Sequence, residues 1–371
     1  MRYTFYALLA LCSLHCVSAN DRVVGPTSLY NTISMAIAAS SDGDRILVEA
    51  GTYNEYLTIS KSLTIQSQLE GGRYNVLRGV RVDTAAGKVI VLSGIRTTTV
   101  EVTGGYSLGT VVRIFDSRIE RCDAVEPRIR VELYRDTVVN NVVVSSCSAY
   151  GCVFGGTAES YTGIVFVGST ALPNACDIIG NSFGTPSAES LLGLATSTVF
   201  HFENNFVRMS AASTINIIRS HNMGGPASTI TNNTFYLVYP LGQHQIALVD
   251  SGLTDMIVAR NNVTVGWQYL FGPIPPGTVL DAAYNLYGAP SWINTSTGGP
   301  ANGSPLINAG DPDPRYLDLD LTRNDAGCFG GSNSRANFTT GMGSAVVGFM
   351  QAPRVVAQNQ PVNINAVGFD R

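Results

Sequence analysis

A pair of asparagines set between two short β-favouring runs recurs along this chain. It reads His201-Phe202-Glu203-Asn204-Asn205-Phe206-Val207, then Ser228-Thr229-Ile230-Thr231-Asn232-Asn233-Thr234-Phe235-Tyr236, then Ile257-Val258-Ala259-Arg260-Asn261-Asn262-Val263-Thr264-Val265. Asn205 to Asn233 is 28 residues and Asn233 to Asn262 is 29. A weaker copy, Ile178-Ile179-Gly180-Asn181-Ser182-Phe183, lies 24 residues before Asn205. Another, around Asn140 and Asn141, lies 40 residues before Asn181. Similarity at a fixed period of this size marks a solenoid, in which each repeat is one turn and stacks only on its neighbours. Asparagine tolerates the left-handed backbone of a sharp corner. Amides stacked at one corner can also hydrogen-bond into a ladder. The spacing therefore predicts Asn205, Asn233 and Asn262 over one another, with Phe206, Phe235 and Val263 following as inward core residues.

Composition agrees with an all-β coil. Charged residues make up 13% of the 371, against about 25% in an average domain. Glycine is abundant, at 38, and no stretch has the texture of a helical bundle. The net charge of -4 and the lack of a basic run argue against a nucleic-acid partner. Lys61 and Lys88 are the only lysines, so the remaining positive charge is arginine. Arginine holds planar carboxylates better than lysine does, although compositional drift explains the bias as well.

Residues 1–19 read as a secretory signal peptide. Arg2 supplies the positive start, Tyr6 to Leu14 the apolar centre, and Val17-Ser18-Ala19 the cleavage pattern. That run is too short to span a bilayer, and no other stretch is long and apolar enough. A secreted, extracellular or cell-surface protein is expected. Export permits disulfides, and five cysteines follow the leader. Cys122 to Cys147 is 25 residues and Cys152 to Cys176 is 24, each about one turn. Those pairs, or Cys147 with Cys152, are candidate bridges, and Cys328 is left over.

Residues 20–43 are expected to cap the coil with a helix. Leu29, Ile33, Ala36 and Ile37 share one helical face, and Ser28 can cap its start. Arg45–Glu49, Tyr56–Ile59 and Leu63–Gln66 then read as three strands with corners at Gly51 and Ser60-Lys61, one turn of a triangular coil. This segment, with Gly43-Asp44, Gly51-Thr52-Tyr53-Asn54-Glu55 and Lys61-Ser62-Leu63-Thr64-Ile65, resembles the opening of secreted bacterial right-handed parallel β-helix proteins of the pectin-lyase-like type. Gly303-Ser304-Pro305-Leu306-Ile307-Asn308-Ala309-Gly310-Asp311, followed by Asp318 to Gly331, resembles their closing phrase. The expected architecture is a right-handed parallel β-helix over 44–331 with a helical N-terminal cap. Residues 332–371 would form a C-terminal cap or the start of an interaction module.

The resemblance implies a search for enzyme signatures. The strings of pectin methylesterases and polygalacturonases are missing: Gly151-Cys152-Val153-Phe154-Gly155 lacks the esterase aspartate. Polysaccharide lyases of this fold use a Lys or Arg base beside a cation or arginine, drawn from separate turns, so no short motif reports them. Setting Asn233 over Asn262 places Arg219 and His221 beside Asp250. In that trio Arg219 would hold a sugar carboxylate, His221 would move a proton, and Asp250 would orient the histidine or bind calcium. His201, Glu203 and Arg260 form a second outward set. Trp267, Tyr269 and Trp292 are candidate sugar-stacking aromatics and equally candidate core. Asp318, Asp320 and Asp325, with Asp311 and Asp313, offer the oxygens that calcium prefers, or simply a structural turn; no other cofactor is expected.

Two functions remain in view. One is a non-catalytic protein that binds an extended extracellular polysaccharide or a cell-surface partner. The other is a polysaccharide lyase or hydrolase acting on an acidic glycan.

Overall fold

The computed structural model of the protein describes residues 19–83, 87–104, 109–125, 129–155, 163–166, 176–184, 190–194, 199–209, 216–220, 228–238, 256–267, 270–271, 279–338, 345–351, 360–362 and 364–370. Apart from Ala19, the expected leader lies outside them.

Short Val- and Ile-rich strands gain stability by stacking, and here they stack in parallel. A first sheet of 12 strands runs from Asp21–Val24 through Arg45–Val48 and Thr64–Ser67 to Val279–Ala283, every neighbour parallel and in chain order. A second sheet of 16 strands has two limbs. Ile95–Thr103 crosses both: Ile95 to Thr97 pair with Tyr74–Val76, while Val100 to Thr103 pair with Val80–Asp83. Each turn thus carries up to three strand segments, as the Arg45-to-Ile65 stretch implied. In that stretch the strands are Arg45–Val48, Leu57–Ile59 and Thr64–Ser67, with an extra pair at Thr52–Tyr53.

Alternation fills the coil. In Thr110–Phe115 and Ile129–Tyr134, Val112, Ile114, Val131 and Leu133 point inward and are buried. Further along, Phe154, Phe183, Phe202 and Phe235 stack through the core, with centroids 4.8, 5.9 and 6.4 Å apart from one to the next. Phe206 and Val263 depart from expectation. They belong to a separate apolar cluster with Leu306 and Cys328, outside the main core. The pairs Phe206↔Thr234 and Val207↔Phe235 show why: inward residues are second, not first, after the asparagine pair.

The two asparagines of each pair divide the work. The first takes the left-handed conformation, with φ of 55° at Asn204, 56° at Asn232 and 60° at Asn261. Gly94, Asp116, Arg135, Gly151, Gly180 and Tyr284 fill the same corner on other turns. The second asparagine builds the ladder. Asn181, Asn205, Asn233, Asn262 and Asn285 run in series, each side-chain oxygen accepting from the amide of the turn before. Asn140 and Asn141 are not part of it. They lie within the strand Thr137–Val144, and the corner of that turn is Arg135 followed by Asp136. Asp136 is fully buried, and burial pushes its carboxyl well up against the backbone N–H groups of Ser117 and Tyr134.

Both ends differ from expectation. The coil begins at Asp21, because Asp21–Val24 pairs with Arg45–Val48. The cap helix is only Ile33–Ala39, and Thr32 rather than Ser28 caps it. Leu29 is 83% exposed and shares no buried face with Ile33, Ala36 and Ile37. The last coil strand is Leu286–Gly288, well short of residue 331. The closing phrase instead returns along the outside of the asparagine corner. Asn204 donates to the carbonyls of Cys328 and Gly330, Asn232 to Asn324, and Asp311 N–H to Asn261. Beyond it, Ala345–Gln351 and Asn365–Asp370 form an antiparallel hairpin.

All five cysteines are free and buried. None of the candidate bridges, Cys147 with Cys152 included, is formed, although their cysteines share one core. Cys122 lies opposite Val142 in the second sheet, whereas Cys147 lies opposite Val131 in the first. Cys176 is also in the first sheet, opposite Phe200, while Cys152 sits at the corner before Val153. Counting residues aligned sequence spacings but not sheets. Asn232 and Asn262 each begin an Asn-x-Thr triplet of the kind that accepts N-linked glycans, but both are buried corner residues.

Candidate functional site

Outward positions of the first sheet form columns, because parallel register repeats every turn. One column runs Arg113, Glu132, Ser148, Asp177, His201, Thr229. The next, two residues along each strand, holds Phe115, Tyr134 and Tyr150, followed by Ile179 and Glu203. Strands about 4.8 Å apart bring these side chains into contact.

A connected polar network results. Arg113 and Arg130 donate to opposite oxygens of Glu132 at 2.8 and 2.9 Å. Arg130 also donates to Ser148 Oγ at 2.6 Å and stands 4.0 Å from Asp177. The Tyr134 hydroxyl donates to Glu132 and the Tyr150 hydroxyl to Asp177, at 3.1 and 3.0 Å. His201 Nδ1 meets Asp177 Oδ1 at 2.8 Å. Thr229 donates to Glu203 at 2.8 Å, and Asn333 of the returning segment reaches the other oxygen of Glu203.

The aromatic column stacks, with Phe115 to Tyr134 at 4.6 Å and Tyr134 to Tyr150 at 5.2 Å. Phe338 packs against this cluster. Gly180, at φ +72°, makes room for it, since a Cβ there would lie 2.2 Å from the Phe338 ring.

The charges set one another. Burial pushes the Asp177 carboxyl up, but the bonds from His201 and Tyr150 and the charge of Arg130 outweigh it and hold it below its usual range. The hydrogen bond to Asp177 raises the His201 imidazole, more than burial lowers it. Glu132 follows Asp177: burial raises it, and Arg113 and Arg130 bring it below normal. Burial also raises the Tyr150 and Tyr134 hydroxyls, which therefore stay protonated as donors. An ionised Asp177 draws the Nδ1 proton of His201, leaving Nε2 as the imidazole's reactive nitrogen. His201 is 29% exposed, so that nitrogen is within reach of a ligand on the face.

The sequence-derived trio is not assembled among the described residues. Arg219 lies in the strand Asn216–Ser220, with Gly193 opposite, while His221 and Asp250 lie outside the described residues. Of the second set, His201 and Glu203 do face outward on one strand. Arg260 stands in the Glu203 column two turns on, as its spacing implied, with its guanidinium tied to Asp281 and Asp311. Trp267 is 6% exposed and belongs to the main core, which removes it as a sugar platform. Trp292 packs, partly buried, on the smaller apolar cluster, and Tyr269 lies outside the described residues.

Asp318 accepts from the N–H groups of Asp325 and Gly331, Asp325 from that of Asn308, and Asp320 from Thr322. These are turn contacts. Among the described residues no group of three or more His, Cys, Asp or Glu side chains is arranged to hold a metal ion.

Both lysines serve the N-terminal end. Lys61 donates to the carbonyls of Ile37 and Ala38 at the end of the cap helix, and Lys88 pairs with Asp42. Neither can act as a base on this face. What sequence reasoning missed was Asp177, Arg130, Glu132 and Tyr150. Their turns lack the asparagine pair, so nothing in the sequence placed them beside His201. Among the described residues no helix is long and apolar enough to cross a membrane.

No family model and no curated relative matches the sequence. Among solved structures, that of pectate lyase Pel9A is similar, with a TM-score of 0.53 and 15% identity over 85% of this chain and 97% of that one. The chain folds as a parallel β-helix, and the likeness to that structure is one of fold.

Proposed function

We propose that this protein is a secreted or cell-surface β-helix that binds an extended polysaccharide along the outer face of its first sheet. The carrying observation is the column of polar side chains on six successive turns, from Arg113 to Thr229. A chain molecule with a repeated hydroxyl pattern suits a surface that repeats its donors and acceptors every turn. The network offers both: guanidinium and imidazole donors, and carboxylate and hydroxyl acceptors. Its positive and negative groups are nearly balanced, which suits sugar hydroxyls at least as well as a strong polyanion. Affinity electrophoresis in gels containing single polysaccharides tests this. Retardation should fall when Arg130→Ala and Thr229→Ala are combined, and a glycan-retarded protein indifferent to both changes would refute the placement.

A second reading, a lyase acting on an acidic glycan, is favoured by the His201–Asp177 pair. His201 Nε2 would take the proton beside a sugar carboxylate, the electron pair would form the new double bond, and the glycosidic oxygen would leave with a proton from water. Arg130, beside Asp177, places a guanidinium near that centre. Unsaturated product, read by absorbance and abolished in His201→Ala, distinguishes this reading from binding alone.

A further inference from the structure

A second polar feature lies at the corner after the strands Thr64–Ser67, Val89–Ser93 and Thr110–Phe115. A cavity of about 260 Å³ opens there, lined by Ser67, Gly72, Arg73, Ser93, Gly94 and Asp116 among others. Ser67 is 6% exposed, and its hydroxyl has no hydrogen-bond partner among the described residues. Leaving a buried hydroxyl unpaired costs about 1–3 kcal/mol, so such a group normally points to something it binds. The backbone closes tightly around it: a Cβ on Gly72 would lie 2.5 Å from the Ser67 hydroxyl, and one on Gly94 would lie 2.6 Å from the Gly72 carbonyl.

Arg73 lines this cavity, and Arg96 and Arg118 stand beyond its rim. Arg73 is exposed and makes no hydrogen bond or ion pair among the described residues. Arg96 and Arg118 lie directly opposite each other on adjacent strands. They too lack an ion pair among the described residues, and the nearby Glu120 joins neither. Arg73 precedes Tyr74, which lies opposite Ile95, so Arg73 and Arg96 are one turn and two residues apart, roughly 8 Å between Cα atoms. Asp116, on the cavity wall, has its own charge balanced by Arg135, which donates to both its oxygens at 2.9 Å. Like charges in register repel, and an anion between them reverses the sign of that interaction.

We infer that this corner is an oxyanion site, in which Arg73, Arg96 and Arg118 surround the anion and the Ser67 hydroxyl donates to it from the cavity wall. The ligand class is a carboxylate carried by a sugar acid or a free inorganic oxyanion. Guanidinium forks match the paired oxygens of both. The site lies four to six turns from His201 and goes beyond the polysaccharide reading, on which it does not depend.

Isothermal titration of the full chain with glucuronate, glucose and sodium sulfate tests it. Glucuronate or sulfate should bind and glucose should not. Competition between the two anions marks one shared site, while sulfate binding alone assigns it to free oxyanions. Arg73→Ala and Arg96→Ala should each weaken binding about tenfold, with Ser67→Ala weakening it less. Both arginines lie on the surface, so an unchanged thermal midpoint will show that the fold is intact. Equal binding of glucose and glucuronate, no binding of either anion, or an undiminished Arg73→Ala variant would overturn the inference. Loss of polysaccharide retention in the Arg130 and Thr229 variants with anion binding intact concerns the sheet face alone.

Discussion

Removing one rail of the asparagine ladder should weaken the coil more than most single changes do. Asn233 is fully buried. Its oxygen accepts from Asn205 N and Asn205 Nδ2 at 2.9 and 3.1 Å, and its amide donates to Phe202 O and Asn262 Oδ1 at 2.7 and 2.9 Å. Asn233→Ala deletes all four bonds and leaves four buried partners short of one contact each. At about 1 kcal/mol per bond the loss is roughly 4 kcal/mol. Urea unfolding followed by circular dichroism reads it directly. With m of about 3 kcal/mol/M or more for a chain this long, the midpoint should fall by about 1 M. Asn233→Asp is the sharper variant, because it sets a second oxygen against the Phe202 carbonyl and the Asn262 oxygen, and ionisation worsens the clash. Its deficit should therefore grow between pH 4 and pH 7. A cost below about 1 kcal/mol for Asn233→Ala, with m unchanged, would refute the view that the ladder holds the turns together.

Three further outcomes are expected. Gly180→Ala combines a strained φ of +72° with a Cβ driven into Phe338; it should cost about 1–3 kcal/mol, and Phe338→Ala should recover part of that in a double-mutant cycle. The His201–Asp177 pair should stabilise the fold most between about pH 4 and pH 6.5. Asp177, lowered in the fold, loses its contribution as pH falls through its folded pKa, and His201, raised in the fold, loses its own as pH rises through its folded pKa. The stability difference between wild type and His201→Gln, measured across pH, should peak inside that window, and a flat difference would remove the pair as an interacting unit. Finally, alkylation of the native protein followed by peptide mapping should leave Cys122, Cys147, Cys152, Cys176 and Cys328 unmodified, because all are buried and burial raises their thiols.

The coil itself was legible in the sequence because one residue type has two backbone-level uses. Asn204 and Asn205 are adjacent, yet one supplies the left-handed corner and the other the ladder amide, and both uses favour asparagine. Where another residue meets one of the two needs, the signal fades: Gly180 before Asn181, Tyr284 before Asn285, and Arg135 before Asp136. Asn140-Asn141 imitates the pair in mid-strand and misled the count by several residues. The ends were less legible for a different reason. Pairing of Asp21–Val24 with Arg45–Val48 spans the cap helix, and the return of Asn324 to Asn232 spans 92 residues. Period alone carries no information about such contacts. The candidate site was half visible. His201 and Glu203 stood out as the outward residues of a repeat, but Asp177, Arg130 and Tyr150 come from turns of irregular length. Their meeting depends on sheet register, which fixed counting from the asparagines does not supply.

The claim that the outer face of the first sheet is the functional surface meets its most direct test in polysaccharide retention by the folded protein. Affinity electrophoresis of wild type and of the Arg130→Ala, Thr229→Ala double variant, on gels of neutral and acidic polysaccharides, is that measurement. Retardation of wild type on at least one glycan, reduced in the double variant at an unchanged circular dichroism spectrum, is the predicted result. Equal retardation of both proteins, or migration of wild type unaffected by every glycan, would contradict it.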